Sequence, residues 1–285
     1  MRLIISLFIV IFVSSCKKDG SFQEKFLDAT KKQTLYSISY GNHNRHKLDI
    51  ALPKNRNEQT PTVIFIHGGA WIIGSKDVFA QEIQDFADAG FACATINYRY
   101  ASSIQGIHHP ALSEDIMLAV NYISSKAKEW EISADNFGLV GHSAGGHLAT
   151  LTPYIMNNGK IKSCASWAGP LDFIDSEQLA ISGANGVFET YVGRKLETEQ
   201  DTALYKSASP YYVVQANAIP TLLIYATQDD GVPYSIGVKM ENKLTELNIQ
   251  TKLVTLSGAG HIWTGNDLSK AKNETLEWFL STLSQ

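Results

Sequence analysis

The stretch GHSAG at residues 141–145 lies between an apolar run at 137–140 and a run of small residues. A strand that passes directly into a helix holds the residue at the turn in a strained conformation, so the flanking positions are glycine or very small. Such a turn places the Ser143 hydroxyl at a helix N-terminus, where backbone N–H groups and the helix dipole favour a developing negative charge. A glycine-rich turn after a strand is also common without any chemistry. Taken alone, the stretch predicts a strand–turn–helix unit with Ser143 as a candidate nucleophile.

A second glycine motif, HGGAW, follows the apolar run PTVIFI at 61–66. The run predicts a fully buried parallel strand. Consecutive glycines let backbone N–H groups come close to the oxygen of a tetrahedral intermediate, although the pair is equally well explained as a simple turn. Together with the downstream Ser143 motif, it predicts an oxyanion hole. The predicted donors are the N–H groups of Gly69 and Ala144, with Gly68 or Ala70 as the third.

Two further apolar runs end in loops with chemically useful side chains. Residues 219–226 predict a strand that delivers TQDDGVP to the carboxyl edge of the sheet, where ligands bind in α/β proteins. Residues 251–256 predict a final strand, followed by a glycine-bordered loop that presents His261. A carboxylate in the first loop orients such a histidine as a base. The residues alone do not distinguish Asp229 from Asp230 as that acid.

The motifs HGGAW, GHSAGG, DDGVP and GAGH together resemble those of the α/β-hydrolase superfamily, from about residue 35 to the C-terminus. The branch that they resemble most contains acetyl esterases, feruloyl esterases and arylformamidase-like enzymes. The resemblance implies Ser143 as nucleophile and His261 as base. In this branch the acid sits four residues before the proline of a D-x-x-V-P segment, which implies Asp229 rather than Asp230. It also implies ester hydrolysis through an acyl-enzyme, with no metal and no organic cofactor.

One α/β domain fits a chain of 285 residues with 44% hydrophobic content. The alternation of strands and helices predicts an α/β-hydrolase fold, with a mostly parallel twisted sheet and helices on both faces. The insertion at 170–218 predicts a small cap, whose polar residues, Asp172 and Tyr191 among them, favour a polar alcohol as part of the substrate. Further predicted elements are a β-hairpin (34–40 and 45–52), strands (91–97 and 161–167) and helices (111–130, 234–247 and 267–283).

The N-terminus predicts export and a lipid anchor. Arg2 precedes an apolar run at 3–13, which is shorter than the ~20 residues of a transmembrane helix and fits a signal-peptide core. The run ends in VSSC, which resembles a bacterial lipobox with Cys16 as the lipid-modified first residue; an ordinary cleaved signal is the alternative. The absence of aspartate after Cys16 favours the outer membrane of the cell envelope. The predicted divisions are a signal peptide (1–15), an anchored linker (16–33) and the hydrolase domain (34–285).

Composition limits the other partners. A net charge of −4 without a Lys/Arg run in the folded part argues against nucleic acid. No HExxH motif and no clustered Cys/His spacing indicates a metal site. Cys93 and Cys164 fall on strands predicted to lie roughly 14 Å apart, too far for a disulfide. Trp71 and Trp263, beside the motifs, are predicted walls of the substrate pocket, and the oligomeric state stays open.

The expected function is a serine carboxylesterase acting on short-acyl esters, of acetyl or feruloyl type, on carbohydrate. One alternative is an arylformamidase-like or peptidase-like amide hydrolase. The prolyl-peptidase group carries an aromatic residue after its nucleophile, where this chain has Ala144. Another alternative is a catalytically silent binding protein with the same fold, against which the presence of serine, acid and histidine argues.

Overall fold

An eight-stranded sheet forms the centre of the computed structural model, which describes residues 27–283. Its order is β1-β2-β4-β3-β5-β6-β7-β8, with β2 antiparallel to both neighbours and the other pairs parallel. The predicted hairpin and mostly parallel sheet are therefore confirmed. The strands are β1 (Gln33–Ser39), β2 (Lys47–Leu52), β3 (Thr62–Ile66), β4 (Ala92–Ile96), β5 (Phe137–His142), β6 (Ile161–Trp167), β7 (Thr221–Ala226) and β8 (Thr251–Leu256).

The helices follow the strands in alternation. They are α1 (Ala80–Asp88), preceded by a 3₁₀ turn (Lys76–Phe79), then α2 (Ala111–Ser125), α3 (Ala127–Trp130), α4 (Ala144–Met156), α5 (Ser176–Ala180), α6 (Ala184–Val192), α7 (Glu199–Ser207), α8 (Pro210–Val213), α9 (Tyr234–Glu246) and α10 (Gly265–Leu283). The predicted single helix at 111–130 is two helices. The N–H of Lys126 bonds to the carbonyls of both Tyr122 and Ile123, which tightens the last turn and ends α2.

Helices cover both faces of the sheet, as predicted. In β7, Leu222 and Ile224 pack in the cluster that α1 and α10 complete, whereas Leu223 and Tyr225 pack against α9 on the opposite face. This alternation is the period-two geometry of a strand buried on both sides. The longest segment between consecutive strands connects β6 to β7 and contains α5 to α8.

Two strands, β3 and β5, separate the strands that carry Cys93 and Cys164. Both thiols are free and buried. The prediction that they are too far apart to pair is confirmed. Residues 1–26, with the predicted signal peptide and Cys16, lie outside the described residues, and the domain boundaries stay predictions. Between residues 27 and 283, no helix is long and apolar enough to cross a membrane.

Candidate active site

Ser143 occupies a strained turn between β5 and α4. Its φ of 56° and ψ of −123° lie in a region that residues with a side chain rarely adopt. The turn is close-packed, because a Cβ on Gly145 would overlap the carbonyl oxygen of Ile66 and come within 2.6 Å of that of His67. The N–H of Ser143 donates to the carbonyl of Trp167 at 2.7 Å, which ties the turn to β6. The predicted strand–turn–helix unit is present.

The loops after β5, β7 and β8 bring three polar side chains into one hydrogen-bonded chain. His261 Nε2 lies 2.9 Å from Ser143 Oγ, and His261 Nδ1 lies 2.9 Å from Asp229 Oδ2. A carboxylate only accepts, so Nδ1 carries the hydrogen and Nε2 accepts from the serine hydroxyl. The Asp229 carboxylate is fully buried, whereas the imidazole remains partly exposed. In this arrangement His261 is positioned to remove a proton from Ser143.

Asp229 is held in place as an ionised group. Its Oδ1 accepts from the N–H groups of Gly231 and Val232, both at 2.8 Å. Burial raises its pKa, but the hydrogen bonds from His261 and the two N–H groups outweigh burial and leave the pKa below its usual value. Asp230 is exposed. Of the two aspartates left open by the residues, the structure brings Asp229 to His261.

The HGGAW loop lies against the Ser143 turn. A Cβ on Gly68 would come within 3.2 Å of the Ser143 Cβ, and Gly69 has a φ of +110° that favours glycine. Within residues 27–283, the N–H groups of the predicted donors have no protein acceptor. The predicted donors Gly68, Gly69, Ala70 and Ala144 thus remain free to bind an oxyanion, a role that stays a prediction.

His67 fixes the orientation of one of these peptides. Arg45 Nη2 lies 3.3 Å from His67 Nε2 and only donates, so Nε2 accepts and Nδ1 carries the hydrogen. That Nδ1–H donates to the Gly68 carbonyl at 2.7 Å. Burial lowers the pKa of His67 to about 4, which keeps the ring neutral. In a trans peptide the N–H points away from the carbonyl, so Gly69 N–H is directed away from His67.

His142, the residue before the nucleophile, braces the base. Its Nε2–H donates to the backbone carbonyl of His261 at 2.8 Å. Burial lowers the pKa of His142 to about 4, which leaves the ring neutral. The imidazole therefore secures the loop that carries His261.

The prediction that Trp71 lines the substrate pocket is corrected. The residue is only 2% exposed and stacks on Tyr191 at 4.8 Å between ring centroids. Its Nε1–H donates to His147 Nδ1 at 3.2 Å. Ala70 and Trp71 both have positive φ, 49° and 63°, and this turn coincides with the burial of the indole against α4. Trp71 anchors the HGGAW loop to α4, the helix that follows Ser143.

Two residues predicted to give the cap a polar face are also corrected. Tyr191 is fully buried, and Asp172 is buried with its carboxylate 2.6 Å from Lys239 Nζ. Asp172 thus ties the cap to α9, and Tyr191 packs on Trp71 and His147, instead of facing a substrate. The cap is made of the four short helices α5 to α8.

One depression adjoins the Ser143 turn, and a second lies beside Asp229. The apolar cavity, of about 420 Å³, is lined by Gly68, Gly69, His142 and Trp263 among others. The role of Trp263 as a wall of the substrate pocket stays a prediction. The polar groove, of about 660 Å³, runs between α5 and α9 beside Asp229. The groove is lined in part by Glu177, Thr227, Tyr234, Ser235, Lys239 and Asn242.

Sequence reasoning missed Arg45 and Glu82. Arg45 reaches His67 across the sheet, and Glu82 lines the apolar cavity from α1. Neither sits in a recognisable motif, because their contacts are made only by the tertiary fold. Across residues 27–283, no cluster of three or more His, Cys, Asp or Glu side chains could hold a metal ion.

A family model named BD-FAE matches residues 48–244 of the chain. The chain belongs to the BD-FAE family. A probable isoprenylcysteine alpha-carbonyl methylesterase of Arabidopsis thaliana is 25% identical to this BD-FAE member over 249 residues, 79% of this chain and 50% of that protein. Esterase LipC of Mycobacterium tuberculosis is 23% identical over 248 residues, 79% of this chain and 58% of that protein. The chain spans about half the length of these curated relatives.

A truncated form of a carbohydrate esterase from gut microbiota has a similar structure. Its TM-score is 0.76 at 21% identity, over 91% of this chain and 99% of that one. This likeness confirms the predicted α/β-hydrolase fold for the BD-FAE member. The family match and the named relatives confirm the esterase branch of the superfamily and support carboxylic ester hydrolysis at the level of the family.

Proposed function

We propose that this chain is a serine carboxylic ester hydrolase in which Ser143 attacks, His261 transfers protons and Asp229 orients His261. The observation that carries the proposal is the continuous chain of two 2.9 Å hydrogen bonds from Asp229 through His261 to Ser143. The strained turn that presents Ser143 and the unpaired N–H groups beside it support the same chemistry.

Acylation begins when His261 Nε2 takes the Ser143 hydroxyl proton as Oγ bonds to the ester carbonyl carbon. The carbonyl oxygen becomes an oxyanion, for which the N–H groups of Gly69, Ala144 and Gly68 are the donors. The carboxylate of Asp229 stabilises the imidazolium that forms. The bond to the alcohol oxygen then breaks, and the alcohol leaves with the proton from His261 Nε2.

Deacylation repeats these steps with water. His261 Nε2 removes a proton from water as its oxygen attacks the acyl carbon, and the same N–H groups bind the second oxyanion. The bond to Ser143 Oγ breaks, and the proton returns from His261 to Ser143. The carboxylic acid leaves, and no metal or organic cofactor takes part.

For the substrate, we propose a short-acyl ester, of acetyl or feruloyl type, on a carbohydrate. The polar groove beside Asp229 offers carboxylate, hydroxyl, ammonium and amide groups, which suit an alcohol with many hydroxyls. Anchoring through Cys16, which lies outside the described residues, would keep the enzyme at the cell envelope. Palmitate supplied to expressing cells should label the wild-type chain and not Cys16→Ser, and an unlabelled wild type refutes the anchor.

The hydrolysis of 4-nitrophenyl acetate tests the activity. Ser143→Ala should abolish turnover while the folded structure persists, because a small-for-small change in a turn creates no cavity. The matched control is Ser269→Ala, an exposed serine on α10 that should retain wild-type rates. Turnover by Ser143→Ala near the wild-type level contradicts the proposal.

The acyl range is tested by kcat/KM along nitrophenyl esters from acetate to palmitate. A maximum at eight carbons or longer contradicts a short-acyl specificity. An N-formyl anilide cleaved faster than phenyl acetate would assign the amide-hydrolase alternative instead.

A further inference from the structure

A buried glutamine on the cap contacts the loop that carries Asp229. Gln178 lies on α5 and is 1% exposed, and its Nε2–H donates to the carbonyl of Gly231 at 3.2 Å. Helix α5 belongs to the segment between β6 and β7, whereas Gly231 follows β7. This hydrogen bond therefore joins the cap to the loop of the proposed acid.

The Gly231 carbonyl belongs to a peptide unit that also holds Asp229. The N–H of the same peptide is that of Val232, and it donates to Asp229 Oδ1 at 2.8 Å. In a trans peptide the C=O and the N–H point in opposite directions. A donor on the carbonyl thus fixes the direction of the N–H, and it polarises the peptide so that the N–H becomes a stronger donor. Gln178 and Asp229 are therefore bound on opposite sides of one peptide unit.

Gly231 also lies against the proposed base. A Cβ at this position would come within 3.1 Å of His261 Cγ and 3.2 Å of His261 Nδ1, the atom that faces Asp229. The N–H of Gly231 itself donates to Asp229 Oδ1 at 2.8 Å. A displacement of Gly231 would therefore change the position of the carboxylate relative to the imidazole.

The oxygen of the Gln178 amide gains nothing from its position. Oε1 is buried, and within residues 27–283 it has no hydrogen-bond partner. Exchanging the two amide atoms would place this oxygen against the Gly231 carbonyl, so the orientation is fixed by that acceptor. A buried acceptor without a donor is unfavourable, and an unbranched apolar side chain would fill the same space without it. Packing of the cap alone therefore does not account for an amide at this position.

Helix α5 is held in place without this amide. Asp175 Oδ1 caps the helix by accepting from the N–H groups of Glu177 and Gln178 at 3.0 and 3.2 Å. The other oxygen, Asp175 Oδ2, accepts from Lys239 Nζ of α9 at 3.0 Å. Loss of the Gln178 side-chain amide should therefore leave α5 where it is and release only the Gly231 carbonyl.

We propose that Gln178 is a positioning residue that acts on the reaction through the Gly231–Val232 peptide and Asp229. This inference rests on the proposed ester hydrolysis. The amide of Gln178 keeps the Val232 N–H directed at the carboxylate, and the carboxylate holds His261 in the tautomer that accepts from the nucleophile. The cap thus contributes to catalysis through a side chain that does not touch the substrate.

The test measures kcat and KM of Gln178→Met on 4-nitrophenyl acetate. Methionine keeps the unbranched shape and removes both the donor and the unpaired oxygen. The value of kcat should fall about tenfold, as the loss of a hydrogen bond in a network that ends on a charged group allows. KM should stay the same, because the side chain is buried. The matched control is Gln200→Met, an exposed glutamine on α7 of the same cap, which should keep the wild-type kcat.

Stability measured on the same variant separates positioning from a structural role. Gln178→Met removes one unpaired buried acceptor, Oε1, and leaves another, the Gly231 carbonyl, without its donor. The urea midpoint should therefore stay close to that of the wild type. An unchanged kcat, a raised KM with an unchanged kcat, or a loss of kcat that comes with a large fall in the midpoint contradicts the positioning role.

A double-mutant cycle shows whether Gln178 acts through Asp229. In an Asp229→Asn background the carboxylate is absent, so adding Gln178→Met should change kcat by less than about twofold. A tenfold loss that persists in this background contradicts the inference.

A measurement that needs no turnover separates this inference from the proposed function. The proton on His261 Nδ1, shared with Asp229, should give a far-downfield NMR resonance in Ser143→Ala, identified by its loss in Asp229→Asn. Adding Gln178→Met should move this resonance upfield as the hydrogen bond lengthens, and an unchanged resonance contradicts the inference. If the resonance responds to Gln178 while nitrophenyl acetate turnover does not depend on Ser143, only the proposed function fails. If turnover depends on Ser143 while kcat and the resonance ignore Gln178, only this inference fails.

Discussion

At Ser143 the backbone holds a strained conformation that costs about 1–3 kcal/mol and persists only where surrounding contacts fix it. Two backbone hydrogen bonds do so, from Ser143 N–H to Trp167 and from His147 N–H to the Ser143 carbonyl. The backbone that carries the hydroxyl is therefore fixed before a substrate arrives. In this position Ser143 Oγ lies 2.9 Å from His261 Nε2.

Asp229 is the residue on which the orientation of His261 depends. An amide in Asp229→Asn can donate to Nδ1 and stabilise the wrong tautomer, so kcat should fall by about 10⁴-fold. Steady-state kinetics on 4-nitrophenyl acetate measures the change. Asp230→Asn is the neighbouring control and should stay within about twofold of the wild type. A large loss in Asp230→Asn with little in Asp229→Asn would reverse the assignment.

Arg45 is expected to act on the reaction through His67. It bonds to the carbonyls of Tyr98 at 2.7 Å and Gly74 at 3.2 Å as well as to His67, so it contacts the start of the HGGAW loop and the chain just beyond its end. Arg45→Met should lower kcat about tenfold with little change in KM, less than the ~10²–10³ for complete loss of an oxyanion donor. Arg194→Met, which removes an exposed arginine, is the control. An unchanged kcat would show that the loop keeps its shape without Arg45.

At the scale of elements, the close contact of α4 with β3 decides whether the turn can form. Gly145→Ala places a methyl group on the backbone of Ile66, which cannot move aside as a side chain would. The free energy of unfolding should fall by several kcal/mol, which urea denaturation measures. In α6, a Cβ on Gly186 would meet open space, so Gly186→Ala should gain about 0.4–1 kcal/mol. Equal stability of the two variants would contradict this packing.

Strands β3 and β7 were predictable because a parallel strand buried on both faces is a continuous apolar run. The predicted bounds of β6 and β8 match those of the structure. The burial of Trp71 was not predictable, since it depends on two consecutive positive φ values that no local sequence rule imposes. Arg45 and Glu82 were not identified from the sequence for another reason. The segments that surround each of them in the fold are distant in sequence. Motifs thus predicted the residues grouped around Ser143, and the walls of the site required the fold.

For the whole molecule, buried histidines predict sensitivity to mild acid. Burial lowers the pKa of His67 to about 4 and that of His147 to about 3, below the usual value of 6.5. As the pH falls below 6.5, these histidines become protonated in the unfolded chain but stay neutral in the folded protein until the pH reaches their lowered pKa. The free energy of unfolding therefore decreases over this range. Each of the two should contribute a loss of about 2 kcal/mol between pH 7 and pH 5. Urea midpoints that do not change over this range would contradict the neutral, buried state.

The reaction proposed for the whole molecule depends on an activated Ser143. The most direct measurement is labelling of the folded protein with a fluorophosphonate, followed by digestion and mass spectrometry of the adduct. A single phosphonylated residue, Ser143, is expected, with labelling lost in Ser143→Ala and retained in Ser269→Ala. An adduct on another residue, or no adduct on a preparation that hydrolyses 4-nitrophenyl acetate, would contradict it.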